Sequence, residues 1–243
     1  MVILAAGRGT RLGRPHPKPL TPMSDGRTIH THQLDHLGTV FANPQVYVVV
    51  GFKLEMILEA NPEQVFVYNE AYDETNTSKS LLRALRATNA GGVLWMNGDV
   101  VFERAVLERA VPLIERDRSF VAVNTASVGE EEVKYTLDAD GWIDALSKTT
   151  APALGEAVGL NYVSAADKAA LMIRLAEVDD QDYFERGIEV AIERDGLRFA
   201  ALDISGLSAV EVDTPEDLEA ANRSLRQSSA PGTGSVGHGS ADH

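Results

Sequence analysis

Four stretches of this chain place side chains suited to polyphosphate chemistry. The apolar run Val2-Ile3-Leu4 leads directly into Ala5-Ala6-Gly7-Arg8-Gly9-Thr10-Arg11. Small residues let the backbone come within hydrogen-bond reach of a ligand, and glycine accepts the positive φ such a loop needs. Guanidinium groups match phosphate oxygens in geometry and charge. The stretch reads as a polyphosphate cradle at the carboxyl end of a first strand. It is not a dinucleotide fingerprint, which would need glycine where Leu12 stands. It is not a P-loop either, because Gly13 is followed by Arg14. Lys18 follows between Pro17 and Pro19, which hold its backbone stiff, so its ammonium can offset charge growing on a phosphate.

Two acidic stretches lie far downstream. Trp95-Met96-Asn97-Gly98-Asp99 ends a buried run with an acid, which at the carboxyl edge of a parallel strand faces the ligand crevice. Asp99 there would suit Mg²⁺, which takes one or two carboxylates plus phosphate oxygens and water. The second stretch is Val210-Glu211-Val212-Asp213-Thr214-Pro215. Glu211 and Asp213 point the same way along a strand. Asp213 also reads as a helix N-cap.

Together, L-A-A-G-R-G-T-R-L and the following Pro17-Lys18 resemble the signature of the nucleotidyltransferase superfamily of sugar-nucleotide and phosphocholine pyrophosphorylases. The resemblance extends over about residues 1–222. It implies transfer of a nucleotidyl group from a nucleoside triphosphate to a phosphorylated acceptor, with release of pyrophosphate. It implies nucleotide contacts from Leu4, Ala5, Ala6, Gly7, Gly9, Thr10 and Arg11, and charge neutralisation by Lys18 and Arg8. Many relatives carry D-x-D where this chain has Asn97-Gly98-Asp99, so one carboxylate is missing and the second must come from elsewhere. Relatives supply it from the region of Glu211 and Asp213; Asp213 is the expected Mg²⁺ partner of Asp99, with Glu211 the alternative.

Residues 68–82, YNEAYDETNTSKSLL, resemble a segment of phosphocholine and phosphonate cytidylyltransferases more than that of hexose-phosphate enzymes. This implies CTP as the nucleotide, with Asn76 and Ser80 meeting it and Gly51 admitting the base. A small phosphorylated or phosphonate acceptor follows. Lys134 and Lys148 are candidates to hold its phosphate. Glu156 to Gly159 resemble the strand lining the acceptor pocket, and Tyr183 and Glu185 resemble an aromatic-acidic cage for a quaternary ammonium. A sugar-1-phosphate nucleotidyltransferase using UTP, GTP or dTTP is the alternative in the same class. A non-catalytic nucleotide-binding subunit is the alternative outside it, kept open by Asn97. His16, His30, His32 and His36 do not form the H-E-x-x-H zinc pattern.

The elements that must position these residues alternate. Strand-like runs at 2–4, 45–51, 64–68, 92–96, 119–123, 199–204 and 209–212 are interleaved with helical stretches at 31–37, 54–60, 79–88, 104–115, 167–176 and 183–194. Pro112 is expected to disturb the fourth helix. The pattern predicts an α/β fold with a doubly wound, mostly parallel sheet, like the Rossmann-like nucleotidyltransferase fold. A small antiparallel insertion is expected at 132–148, turning at Ala139-Asp140-Gly141. Residues 1–226 form the expected nucleotidyltransferase domain and 227–243, poor in apolar bulk, an expected disordered tail.

The 243 residues carry a net charge of −14, which argues against nucleic-acid partners. Arg8, Arg11, Arg14 and Lys18 then form a local basic island for an anionic nucleotide. No apolar stretch approaches the roughly 18 residues of a membrane span. No leader pattern precedes the first strand and there is no cysteine, so a cytoplasmic protein is expected. Oligomeric state is not encoded in any of these patterns.

Overall fold

A computed structural model describes residues 1–9, 15–126, 128–129 and 132–229. Thr10 and Arg11 of the expected cradle lie outside the described residues, as do residues 230–243 of the expected tail. The elements in chain order are β1 (Val2–Ala5), α1 (Ile29–Val40), β2 (Tyr47–Val50), α2 (Leu54–Ala60), β3 (Val65–Tyr68), α3 (Thr77–Ala87), β4 (Val93–Asn97), β5 (Val100–Phe102), α4 (Arg104–Glu115), β6 (Phe120–Asn124), β7 (Lys134–Leu137), β8 (Ile143–Ser147), β9 (Gly155–Val163), α5 (Lys168–Glu177), α6 (Phe184–Asp195), β10 (Ala200–Asp203), β11 (Ala209–Glu211) and α7 (Pro215–Ser229).

The main sheet runs β10-β6-β9-β4-β1-β2-β3. β1, β2, β3 and β4 are parallel neighbours, as are β6 and β10, while β9 is antiparallel to both β4 and β6. β1 and β2 are buried at every position, as central parallel strands covered on both faces must be. Their alternation divides two cores. Val2 and Leu4 pack with Leu81 and Leu85 of α3, Leu171 of α5 and Ile188 of α6. Ile3 and Ala5 pack with Leu37 of α1, Ile57 of α2 and Leu107 of α4 on the other face.

The expected hairpin forms as β7 and β8, but β7 also pairs with β9, so it extends the main sheet rather than standing apart. Pro112 lies inside an unbroken α4. It is exposed in the last turn, where a missing N–H costs the helix one hydrogen bond near its end. The short strand β5 was not expected; it pairs antiparallel with β11. Helix α7 continues three residues past the expected boundary at 226.

Candidate active site

Backbone hydrogen bonds bring the two acidic stretches together. The Gly98 N–H donates to the Leu4 carbonyl at 2.8 Å, closing the end of β4 onto β1. A Cβ on Gly98 would meet that carbonyl and Pro19 Cγ, each at 2.8 Å, so only glycine fits. The buried Gln33 of α1 donates from Nε2 to the carbonyls of Asn97 and Val100, both at 2.9 Å, and pins the turn between them. β11 pairs Glu211 with Val100, and the Val212 N–H donates to the Asp99 carbonyl at 3.0 Å. Asp99, Glu211 and Asp213 converge as a result, with one carboxylate oxygen of each within 4.8 Å of the others.

The expected N-cap role of Asp213 falls to its neighbour. Thr214 Oγ1 accepts from the Asp217 N–H at 3.2 Å, and Asp217 Oδ2 accepts from the Thr214 N–H at 2.8 Å. This reciprocal pair caps α7. Asp213 is left to the cluster.

Lys18 completes the group. Its ammonium donates to Asp99 Oδ2 at 2.8 Å and to Asp213 Oδ1. Its stem passes Gly9, whose φ is +56° and where a Cβ would stand 2.6 Å from Lys18 Cγ. Burial works against the Lys18 charge, but Asp99 and Asp213 outweigh it and raise its pKa above the ordinary lysine range. Burial and the charges of Asp99 and Asp213 push Glu211 well above the usual carboxylate range. Three hard oxygen donors with negative charge in excess fit a divalent cation. Among the described residues no other group of three such side chains converges. The histidines do not: His32 Nε2 pairs with Asp25 at 3.2 Å, His36 lies against Phe102, and burial pulls His30 and His36 down to about 4.

A cavity of about 510 Å³ opens beside this cluster, lined by Gly7, Arg8, Gly9, Lys18 and Asp213 at its base. A smaller one of about 140 Å³ adjoins it and reaches Leu4, Ala5 and Asp99. Ala6 and Ser80 border a third, narrow cleft behind the glycine loop.

One wall is the segment from β3 into α3. Asn69 Nδ2 donates to Thr75 Oγ1 at 3.1 Å and to Ser80 Oγ at 3.0 Å, shaping the loop. Ser80 thus braces the loop from behind. Asn76 borders the cavity, but its Oδ1 accepts from the Thr77 N–H and its Nδ2 donates to the Gln181 carbonyl. The Asn76 and Ser78 N–H groups donate to the carbonyls of Asp180 and Asp182. The start of α3, expected to meet the nucleotide, has these donors taken by the loop that precedes α6. Gly51 does not open onto the cavity: a Cβ there would meet Tyr72 Cβ at 2.5 Å and the Ala6 carbonyl at 2.8 Å. Its role is to admit Tyr72, which lines the wall with Thr75 and Thr77.

A second wall, adjoining the first at residues 180–184, carries Glu132, Val133, Lys148, Gln181, Tyr183 and Glu185. The Lys148 ammonium lies 4.7 Å from the centre of the Tyr183 ring. Burial pushes the Glu185 carboxyl up to about 7, only partly offset by its own backbone N–H and by Lys148. Burial and neighbouring Glu156 raise Glu132 as well. Three expected acceptor residues are not on this wall. Lys134 does not line the cavity, and its ammonium donates to the Lys148 carbonyl at 2.9 Å. Glu156 accepts from the Gly129 N–H at 2.8 Å, behind Glu132. Gly159, with φ +68°, gives room to Asn97, whose Nδ2 would be 2.8 Å from a Cβ. Tyr72 and Thr77 lie in the 68–82 segment marked by the resemblance but were not singled out there, while Glu132 and Gln181 carried no signal of spacing or motif.

The two walls are tied behind the cavity. The Lys79 ammonium, buried, donates to the carbonyls of Leu175, Ala176 and Val178 at the end of α5. Lys168 at the start of α5 returns the contact, donating to Thr88 Oγ1 and the carbonyls of Thr88 and Asn89 at the end of α3.

A family described as MobA-like NTP transferase domain matches residues 1–174. A CMP-5'-(3-aminopropyl)phosphonate synthase from Streptomyces rubellomurinus is 33% identical over 242 residues, covering 91% of this chain and 38% of that protein. This chain thus spans well under half the length of that curated relative. Among solved structures, the inositol-1-phosphate CTP transferase from T. maritima superposes with a TM-score of 0.75 at 17% identity, covering 95% of this chain and 97% of that one. The CTP:phosphocholine cytidylyltransferase from Streptococcus pneumoniae gives 0.71 at 19% identity, covering 92% and 97%. At these identities the two structures show a shared fold.

Proposed function

We propose, from the premise that this chain belongs to the MobA-like NTP transferase family, that it moves CMP from CTP to a small phosphonate or phosphomonoester acceptor with a cationic end. The observation that carries this is a single cavity with a phosphate-suited glycine loop and lysine at its base and an acidic-aromatic wall opposite. The synthase relative supports both CMP and a small phosphonate.

In this reading an acceptor oxygen attacks the α-phosphorus of the nucleotide and pyrophosphate leaves from the opposite side. The acceptor anion is already nucleophilic, so positioning and charge neutralisation matter more than a strong base. Gly7 and Gly9 let the backbone approach the phosphates. Arg8 and Lys18 offset their charge. Asp99, Asp213 and Glu211 would hold Mg²⁺, which would draw charge from the phosphate oxygens when bound. Tyr183, Glu185 and Glu132 would receive the cationic end of the acceptor, its ammonium replacing Lys148 as the charge facing them.

The test is pyrophosphate release with each of the four nucleotides and an acceptor panel. CTP with an aminoalkylphosphonate or phosphocholine is expected to outpace every other pair. Product from UTP or dTTP with a sugar 1-phosphate, and none from CTP with any small acceptor, would overturn the assignment of substrates. No product from any pair would favour a nucleotide-binding subunit instead.

A further inference from the structure

We propose that Lys18 is the resident counter-ion of the Asp99–Glu211–Asp213 cluster, so that a divalent cation enters only together with the nucleotide. This rests on the reading of these acids as a cation site. Lys18 reaches the acids from the loop base, its stem held under Gly9 and its ammonium donating to Asp99 and Asp213. The three carboxylates lie within 4.8 Å of one another, so any cation joining them stands close to that ammonium. Two cations at such a separation repel strongly in a partly buried site. Without nucleotide, the ammonium has no better partner than the acids. The phosphates of a nucleotide supply one, because the cradle of Gly7, Arg8 and Gly9 adjoins Lys18 along the cavity base.

The swing needs no large rearrangement. Lys18 belongs to a short turn, Lys18–Leu20, whose backbone is fixed by Thr21 and Pro17, while its four-carbon side chain has free torsions beyond Cγ. The consequence is an order of assembly. The free protein holds its acids neutralised and in place, and the phosphates draw Lys18 away as the cation takes over.

The experiment measures Mn²⁺ binding by the full chain, by calorimetry and by loss of the free Mn²⁺ resonance, without activity. Wild type, Lys18→Met and Lys18→Gln are each titrated alone and with a non-hydrolysable CTP analogue. Alone, both variants are expected to bind Mn²⁺ about tenfold or more tightly than wild type, since a contact charge has been removed. With the analogue, the gap is expected to close or reverse. If wild type and the variants bind Mn²⁺ equally well without nucleotide, the counter-ion role is overturned while the cation site stands. If Mn²⁺ binds no form, even with the analogue, the cation site itself falls. Circular dichroism checks that each variant is folded, and agreement between the two neutral side chains separates loss of charge from loss of shape.

Discussion

Asn76 and Glu185 border the same cavity from two segments that touch, the Phe184 N–H donating to Thr77 Oγ1 at 3.1 Å, yet their polar atoms are engaged differently. The Asn76 amide caps α3 and reaches the Gln181 carbonyl, so the wall it belongs to presents a shape fixed by backbone partners. Glu185 brings a buried carboxyl to the cavity with its own N–H as hydrogen-bond partner, and its proton affinity is raised accordingly. Glu132 beside it is raised too. The first wall offers few unengaged side-chain polar atoms at Asn76. The second suits recognition by charge, because a cationic ligand there relieves a standing electrostatic penalty. Between them lies the carboxylate–lysine cluster, where strong charges already meet. One fold therefore offers two kinds of wall a few residues apart, and they respond to different perturbations.

The largest effect is expected at the seam. Asp99→Asn keeps the shape of the turn that Gln33 and Val212 hold, but removes a charge that both Lys18 and a cation would use. A loss of about 10²- to 10³-fold in kcat is expected, as for removal of one strong electrostatic contact. Steady-state kinetics with the far-ultraviolet spectrum as control would check it, and a variant with wild-type turnover would remove Asp99 from the chemistry.

A smaller, pH-dependent effect is expected on the charged wall. Glu185 is a carboxyl raised to about 7, so between its unfolded value near 4.5 and 7 the folded protein holds the extra proton. Stability attributable to this group therefore falls as pH rises through that window. Binding of a cationic acceptor runs the other way, because the ammonium favours the carboxylate. The acceptor KM should fall as pH rises through about 7, and Glu185→Gln should flatten that profile and leave the KM for CTP unchanged. Equal pH profiles in the two proteins would show that the wall does not read charge.

The smallest effect is expected on the other wall. Asn76→Ala should cost about 1 kcal/mol of stability through loss of the cap. The ratio of kcat/KM for CTP over UTP should stay the same. A tenfold drop in that ratio would mean that the amide reads the base directly and that the contrast between the walls is wrong.

The sequence exposed those parts of the site that are local. The glycine loop follows its strand without a break, and Lys18 lies close behind, so the meeting of Gly7, Arg8, Gly9 and Lys18 at one cavity was legible from residue types and order. Asp213 was legible as a strand-end acid, although its competing N-cap role could be dismissed only once Thr214 and Asp217 were seen to close on each other. The parallel β1–β4 core was legible because its strands are continuous apolar runs. β5 was not, because three residues carry no period, and its partner β11 lies about 110 residues away. The wall bearing Lys148, Tyr183 and Glu185 was the least legible. Lys134 and Lys148 looked equivalent, but the Lys134 ammonium is spent on the Lys148 carbonyl while Lys148 lines the cavity beside Tyr183. Glu132 and Gln181 come from loops whose position depends on packing rather than on any pattern.

The paired lysines behind the cavity bear on how such a protein can be altered. Lys79 fixes the end of α5, Lys168 fixes the end of α3, and the first turn of α3 donates into the 180–182 backbone. Residues 69–88 and 168–185 thus form one mechanical unit, although some 80 residues of chain separate them. Transplanting only the segment bearing Tyr183 and Glu185 from a relative would leave a buried ammonium and several helix donors facing carbonyls in new places. A graft of the 180–185 segment therefore has to carry the matching turn of α3 with it, so that these donors and carbonyls still meet.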